Sequence, residues 1–261
     1  MQLAGSEIRT REILSWKGLH LLHYDLSSCS QKVRILTGEL GIDYISHPIN
    51  LMRNEQRTDW YLGINPRGQV PVLVHDGAVH IESNDIIEYL DRTFATPANS
   101  LLATTDVEQQ QMQELMDLED QLHPDLRTIT FTYIAPDPGG HAPPISDPNY
   151  DYIGRFNDAC VRLNEILNNR PYLLGDRITL ADISWFITLH RLGLAGFPLQ
   201  NHPKLKAYLE RMTKRAAFRK EFRAGPLFLR FAGTVYRCLN RLFRRSLPKD
   251  YESWRKVTTS N

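Results

Sequence analysis

Residues 69–94 read QVPVLVHDGAVHIESNDIIEYLDRTF, and their pattern decides the fold of the first part of the chain. Valines alternate with other residues at the start of this stretch, as in a half-buried strand. The pair Asp76-Gly77 is a hairpin turn signal, after which the alternation resumes. Apolar residues then recur at helical spacing at Ile86, Ile87, Leu90 and Phe94. The stretch therefore predicts two strands followed by a helix.

The residues before this stretch add a strand, a helix and a second strand. Residues 19–26 form a short apolar run, and residues 43–51 form another, in which Pro48 favours an edge strand or an early end. Between them, SSCSQKVRILTGELG (27–41) has helical spacing. Serines can cap the start of this helix and glycines can end it. The candidates are Ser27, Ser28 and Ser30 at the start, and Gly38 and Gly41 at the end.

A linker over residues 95–105, ATPANSLLATT, separates this βαβ–ββα module from a second half without a convincing strand. In that half, Thr179 and Asp182 have the spacing of a capping box. Pro124 is expected to kink or break the first long helix. Helices are predicted from Asp106 to about Tyr133, over residues 152–169, from Thr179 onward and from Pro203 onward. The sequence thus predicts an α/β domain over residues 19–96 and an all-α domain over residues 106–247.

Composition favours a soluble protein of a reducing compartment, which we take to be the cytoplasm. Hydrophobic residues make up 42% and charged residues 23% of the 261 residues, as in ordinary globular proteins. The three cysteines are too few for a disulfide scaffold. No His/Cys cluster has metal-ligand spacing, so no metal site is expected. No stretch has the length of a signal peptide's apolar region or of a transmembrane helix.

The end of the chain is basic and the rest is acidic. Residues 204–256 carry 16 Lys/Arg against 4 Asp/Glu, and the other residues carry 15 against 26. The helical pattern over residues 226–245 could pack on the acidic body, cap a pocket or lie on an anionic membrane surface. Nucleic acid is not an expected partner, because no recognition motif accompanies the charge. The Pro/Gly-rich segment 135–150 predicts a long loop that could overhang a site.

The first candidate site is the start of the first helix, where Ser27, Ser28, Cys29 and Ser30 follow one another. A helix N-terminus presents unpaired N–H donors and roughly half a positive charge, which favour an anion. A thiol there has a lowered pKa, and a bound thiolate is stabilised. The same serines could instead do no more than cap the helix.

Two further junctions could bind a peptide-like ligand. Pro71 is compatible with a cis peptide bond, and it would turn the backbone groups beside Gln69 and Val70 away from the sheet. A ligand could then pair with them as an extra strand. At the last strand-to-helix junction, Ser83 and the helix N-terminus could hold a carboxylate while Glu82 holds an ammonium.

Together, these stretches resemble the glutathione transferase family. SSCSQKVRI resembles the zeta-class helix start, and NPRGQVPVLVHDG and IESNDIIEYLD are similar to the family's glutathione-binding turn and γ-glutamyl junction. ITLADIS is similar to the capping box of its all-α domain. The resemblance extends from about Leu21 to Phe218. It implies a thioredoxin-like domain followed by an all-helical domain, with glutathione bound across the first.

The resemblance also implies roles for individual residues. Ser27 corresponds to the serine that donates a hydrogen bond to the glutathione thiolate, and Ser28 and Cys29 are its two neighbours in the catalytic group. The other residues implied to bind glutathione are Gln69, Val70, Pro71, Glu82 and Ser83. His123, Arg127 and Tyr133 are possible contacts of a second substrate.

Subfamily resemblances leave the reaction open. Starts of the Ser-x-Cys-Ser type also occur in reductive dehalogenases and in cysteine-type transferases, where the cysteine exchanges disulfides. NPRGQVPVLVHDG with IES is similar to the bacterial β-etherases. SQKVRI, ITLHRLGLAGF and YLERMTKRAAFRK resemble the ganglioside-induced differentiation-associated proteins, although this chain lacks their long insertion and terminal span.

The sequence as a whole predicts a glutathione-dependent enzyme, usually dimeric in this family, that attacks a small hydrophobic or aromatic electrophile. The reaction could be conjugation, ether cleavage, dehalogenation or isomerisation. The alternative is a non-catalytic, transferase-like adaptor that docks on a membrane or a partner through its basic tail.

Overall fold

The computed structural model describes residues 1–134, 151–223, 238 and 246–259, and its strands all belong to one four-stranded sheet. The spatial order is β2-β1-β3-β4. β1 pairs parallel with β2 and antiparallel with β3, and β3 pairs antiparallel with β4. The strands are β1 (Leu19–His23), β2 (Ile45–Pro48), β3 (Val72–His75) and β4 (Ala78–His80). The predicted βαβ–ββα order is confirmed, and Pro48 lies on an edge strand.

Before the linker, the sheet-containing unit has three α-helices, and the first of them begins and ends at the expected residue types. They are α1 (Ser28–Leu40), α2 (Asp59–Leu62) and α3 (Ser83–Phe94). Ser27 is the N-cap of α1, and Gly41, with a φ of 68°, ends it. Of the candidate residues, these two have the capping roles because Ser27 keeps an extended backbone and Gly41 tolerates the left-handed conformation.

The first sixteen residues form part of this unit, which the sequence did not predict. Leu3 N donates to Val79 O at 2.9 Å, and Ile81 N donates to Met1 O at 2.9 Å, so this segment continues the sheet beyond β4. Ile8 and Ile13 are buried in a core that β1, β3 and β4 share. Residues 1–16 therefore cover one face of the sheet.

Gly77 allows the same segment to approach the hairpin. Its φ is +83°, and a Cβ there would lie 2.2 Å from Leu14 O. We expect Gly77→Ala to lower the free energy of unfolding by about 1–3 kcal/mol, because both the backbone conformation and the contact become strained. Urea denaturation would measure this. Gly5→Ala is the control, since no heavy atom lies within 4 Å of its Cβ position. Equal losses in the two variants would contradict the explanation.

Two units of contacting residues divide the chain. The first comprises Met1–Leu102 and Ala216–Arg223, and the second comprises Ala103–Arg215 with the chain from residue 224 onward. The helices of the second unit are α4 (Asp106–Ile129), α5 (Asp151–Ile166), α6 (Leu180–Ala195), α7 (Pro203–Met212) and α9 (Leu247–Thr259). Helix α8 (Ala216–Arg223) belongs to the first unit. No strand occurs in the described part of the second unit.

Pro124 does not break α4, so a break at this residue is the part of the prediction that is wrong. The helix runs through Pro124 to Ile129 and continues as a π-helical turn over Thr130–Ile134. Proline inside a helix costs about 3 kcal/mol. Burial of Leu122 and Leu126 on either side offsets that cost, because leaving the helix would expose both.

Two predicted segments lie outside the described residues. These are the loop over residues 135–150 and the tail over residues 226–245, apart from Cys238. Among the helices that are described, none has the length and apolar character needed to cross a membrane.

Candidate active site

The start of α1 places a hydroxyl group where a bound anion would be stabilised. Ser27 N donates to Tyr24 O at 3.1 Å, and Ser27 Oγ accepts from Ser30 N at 3.2 Å. A serine hydroxyl has one proton and two lone pairs, so capping leaves its proton available. Within the described residues, Ser27 donates no side-chain hydrogen bond. It can therefore cap the helix and donate to a ligand at the same time.

The two neighbours of Ser27 differ in their access to solvent. Ser28 is buried, with 9% of its surface exposed, whereas Cys29 is half-buried and forms no disulfide bond within the described residues. Of these two neighbours, Cys29 is thus the more accessible to a small molecule. The side chains of both residues lie in the first turn of α1, where the helix dipole favours negative charge.

The turn before β3 leaves backbone groups open for a ligand. The Val70–Pro71 peptide is cis, in agreement with the sequence prediction. Neither the N–H nor the C=O of Val70 has a hydrogen-bond partner within the described residues. The adjacent Gln69 carbonyl accepts from the Tyr61 hydroxyl at 2.7 Å and from Asn65 Nδ2 at 2.8 Å. The two hydrogen bonds to Gln69 therefore fix the turn, and the backbone groups of Val70 can pair with an extended ligand.

The junction before α3 has an uncommon backbone conformation. Glu82 has a φ of 67° and a ψ of 119°, which non-glycine residues rarely adopt. Such conformations cluster at functional sites. The Glu82 side chain does not cap α3, and buried Ser83 is the first helical residue. The first turn of α3 can therefore bind a carboxylate.

Glu82 has a partner that the sequence analysis did not identify. Arg67 Nη1 donates to Glu82 Oε1, and the two side chains are 51% and 43% exposed. Because both are exposed, the ion pair is weak and a ligand can displace it. Arg67 lies in the NPRGQ turn. It pairs with Glu82 because the fold brings that turn close to the α3 junction, and no short sequence pattern signals that approach.

Comparison with known proteins identifies the family. Residues 26–93 match the family model "Glutathione S-transferase, N-terminal domain", and residues 147–211 match "Glutathione S-transferase, C-terminal domain". The chain belongs to the glutathione S-transferase family.

Individual relatives differ in their activities. The chain is 28% identical over 207 residues to a maleylacetoacetate isomerase of Pseudomonas aeruginosa, covering 77% of this chain and 94% of the relative. The crystal structure of the beta-etherase LigF from Sphingobium superposes with a TM-score of 0.68 at 26% identity, covering 79% and 99%. A human ganglioside-induced differentiation-associated protein 1-like 1 is 23% identical over 297 residues, covering 89% and 80%.

The three residues proposed to contact a second substrate lie in the helical unit of this transferase-family chain. His123 and Arg127 are one turn apart on α4, and His123 Nδ1 is 3.5 Å from buried Glu119 Oε1. Tyr133 is buried, and its hydroxyl donates to Asp250 Oδ2 at 2.5 Å. A substrate role for Tyr133 stays a prediction, and it would require that bond to open. Among the described residues, no three His, Cys, Asp or Glu side chains could hold a metal ion.

Buried histidines make acid destabilising. Burial lowers the pKa of His23, His80 and His190 to about 4, from 6.5 in the unfolded chain. Between about pH 6.5 and 4, the unfolded state therefore binds protons that the folded state excludes. Burial raises the pKa of Asp182 to about 6, which partly opposes this effect below pH 6.

We therefore expect the free energy of unfolding to fall as the pH is lowered from 7 to 5, by up to about 1.4 kcal/mol per pH unit for each histidine. Urea denaturation at several pH values measures the slope. Replacement of His80 with glutamine should make the slope shallower. A flat or rising stability would contradict these pKa shifts.

Proposed function

We propose that this chain binds glutathione along the three junctions at Ser27, Val70 and Glu82-Ser83 and directs its thiolate at a small hydrophobic or aromatic electrophile. The observation that carries the proposal is the Ser27 hydroxyl, which caps α1 and still has a proton to donate. Family membership supports glutathione as the co-substrate.

In the proposed complex, each junction holds a different part of the tripeptide. The Ser27 hydroxyl and the α1 dipole stabilise thiolate over thiol, so more nucleophile exists at neutral pH. The Val70 backbone pairs with the cysteinyl residue. Ser83 and the first turn of α3 bind the γ-glutamyl carboxylate, and Glu82 binds the ammonium in competition with Arg67.

The thiolate then forms a carbon–sulfur bond with the electrophile. In a substitution, the leaving group departs with the electron pair of the broken bond, as in ether cleavage or dehalogenation. In an isomerisation, the added thiolate is expelled again after rotation about the former double bond. The isomerase and the beta-etherase among the relatives support these two outcomes. We also expect a homodimer, which sedimentation would measure.

Glutathione binding and turnover test the proposal. We expect retention on immobilised glutathione, turnover of a simple aromatic electrophile and a stabilisation of about 2.7 kcal/mol when glutathione is at one hundred times its Kd. S-Methylglutathione, which has no thiol, should bind without supporting turnover. Absence of both retention and turnover would contradict the proposal. If anionic vesicles then bind the chain, it acts as an adaptor instead.

A further inference from the structure

Arg34 joins helix α8 to the loop that carries Ser27. Its Nε and Nη2 atoms donate to the two carboxylate oxygens of Glu221, at 3.0 and 2.5 Å. Nη1 also donates to Tyr24 O at 3.2 Å, and Nη2 donates to Asp25 O at 2.8 Å. The side chains of Arg34 and Glu221 are only 11% and 9% exposed. The Arg34 guanidinium therefore links the Tyr24 and Asp25 carbonyls to helix α8.

His23 is a further hydrogen-bond partner of Arg34. Arg34 Nη1 lies 2.9 Å from His23 Nδ1, and because arginine can only donate, Nδ1 must accept. Neutral His23 then carries its proton on Nε2, which lies 2.7 Å from Ser46 Oγ. Strand β2 is thereby linked to the same guanidinium.

Helix α8 is held at a fixed register on α1. A Cβ on Gly38 would lie 2.9 Å from Ala217 Cβ, so only glycine permits this approach. Arg34 lies one turn before Gly38, and Glu221 lies one turn after Ala217, so the helices run antiparallel at this contact. Phe218 is fully buried. This packing sets the position of the Glu221 carboxylate.

Ser27 depends on the loop that Arg34 holds. Its N–H donates to Tyr24 O, the carbonyl that Arg34 also binds, and Tyr24 N donates to Ser30 Oγ at 3.3 Å. Movement of Tyr24 would therefore move the Ser27 hydroxyl. Misplacement of a catalytic group by about 1 Å can cost on the order of 100-fold in rate.

We propose that Arg34 and Glu221 are positioning residues for the thiolate site. The site in the first unit is then incomplete without helix α8, which belongs to the same unit. This inference rests on the proposed function of Ser27. Lysine cannot replace Arg34, because only the planar guanidinium reaches Glu221 and both loop carbonyls at once.

Variants of the pair test this proposal. Arg34→Lys and Glu221→Gln remove parts of the network. The double variant Arg34→Met/Glu221→Met removes both charges and guards against loss of folding, since paired apolar replacements of buried ion pairs are well tolerated. Arg155→Gln is the matched control, because it breaks a two-bond pair with Asp125 in the second unit, at 2.7 and 2.8 Å.

Two measurements distinguish the outcomes. Amide exchange of residues 24–30 without ligand should be faster in the three variants and unchanged in the control. With glutathione, the three variants should show about tenfold lower kcat/KM and a higher pKa of the bound thiol. Arg34→Lys should be no closer to the wild type in either quantity than the other two variants. Unchanged loop exchange would overturn the positioning role, whether or not glutathione binds. If the three variants exchange faster but the wild-type protein binds no glutathione, the loop restraint is upheld and only the proposed function is contradicted.

Discussion

Replacement of Ser27 with alanine is expected to lower kcat/KM for a glutathione-dependent reaction by about 100- to 1,000-fold, the usual cost of removing a hydrogen bond to a developing or stabilised anion. The pKa of the bound glutathione thiol should rise, because the thiolate loses its hydroxyl donor. Stopped-flow kinetics and thiolate absorbance measure the two effects. Both follow from the single proton that Ser27 keeps while it caps α1.

Two control variants separate this chemistry from helix capping. Ser27→Asp keeps an N-cap acceptor for Ser30 N, so the fold should be retained, but a carboxylate repels a thiolate and should abolish turnover. Cys29→Ala should leave thiolate formation nearly unchanged. If Cys29→Ala abolished the reaction and Ser27→Ala did not, the cysteine would be the working residue.

Replacement of Asp182 with alanine is expected to lower the free energy of unfolding by about 3–5 kcal/mol. Asp182 is fully buried, and its carboxylate accepts from Leu173 N at 3.0 Å, Thr179 N at 2.8 Å and Thr179 Oγ1 at 3.0 Å. Alanine would leave these three donors buried without an acceptor, at the lower end of about 1–3 kcal/mol for each. Urea denaturation measures the loss.

The control for this variant is Asp176→Ala, because Asp176 is an exposed carboxylate six residues earlier. We expect it to change stability by less than about 0.5 kcal/mol. Asp182→Asn should be intermediate, since an amide keeps one acceptor oxygen. Equal effects of the alanine variants would contradict a structural role for the capping box.

Local signals in the sequence predicted most of the fold around the candidate site. Ser27 as a cap, Gly41 as a helix end and Asp76-Gly77 as a turn each need only a few neighbouring residues, and the structure confirms all three. The capping box at Thr179 and Asp182 is also confirmed. Such features depend on backbone conformations that one or two residue types favour, so short windows identify them.

Long-range contacts could not be predicted in this way. The Arg34–Glu221 pair joins residues 187 positions apart, and the pairing of residues 1–3 with β4 also needs the folded sheet. Pro124 is the opposite case. Its strong local signal for a helix break is overridden by the burial of residues on both sides of it. The candidate site combines both kinds of feature. Its junctions were predicted, and its supporting contacts at Arg34 and Arg67 were not.

The state of the glutathione sulfur in the wild-type complex tests the central claim most directly. Thiolate absorbance of the bound tripeptide, titrated from pH 5 to 10 with S-methylglutathione as the blank, gives the pKa of that thiol. We expect binding with a pKa at least one unit below that of free glutathione, so that the sulfur is largely ionised at neutral pH. A bound thiol with the pKa of free glutathione would contradict the claim that the start of α1 and Ser27 stabilise a thiolate.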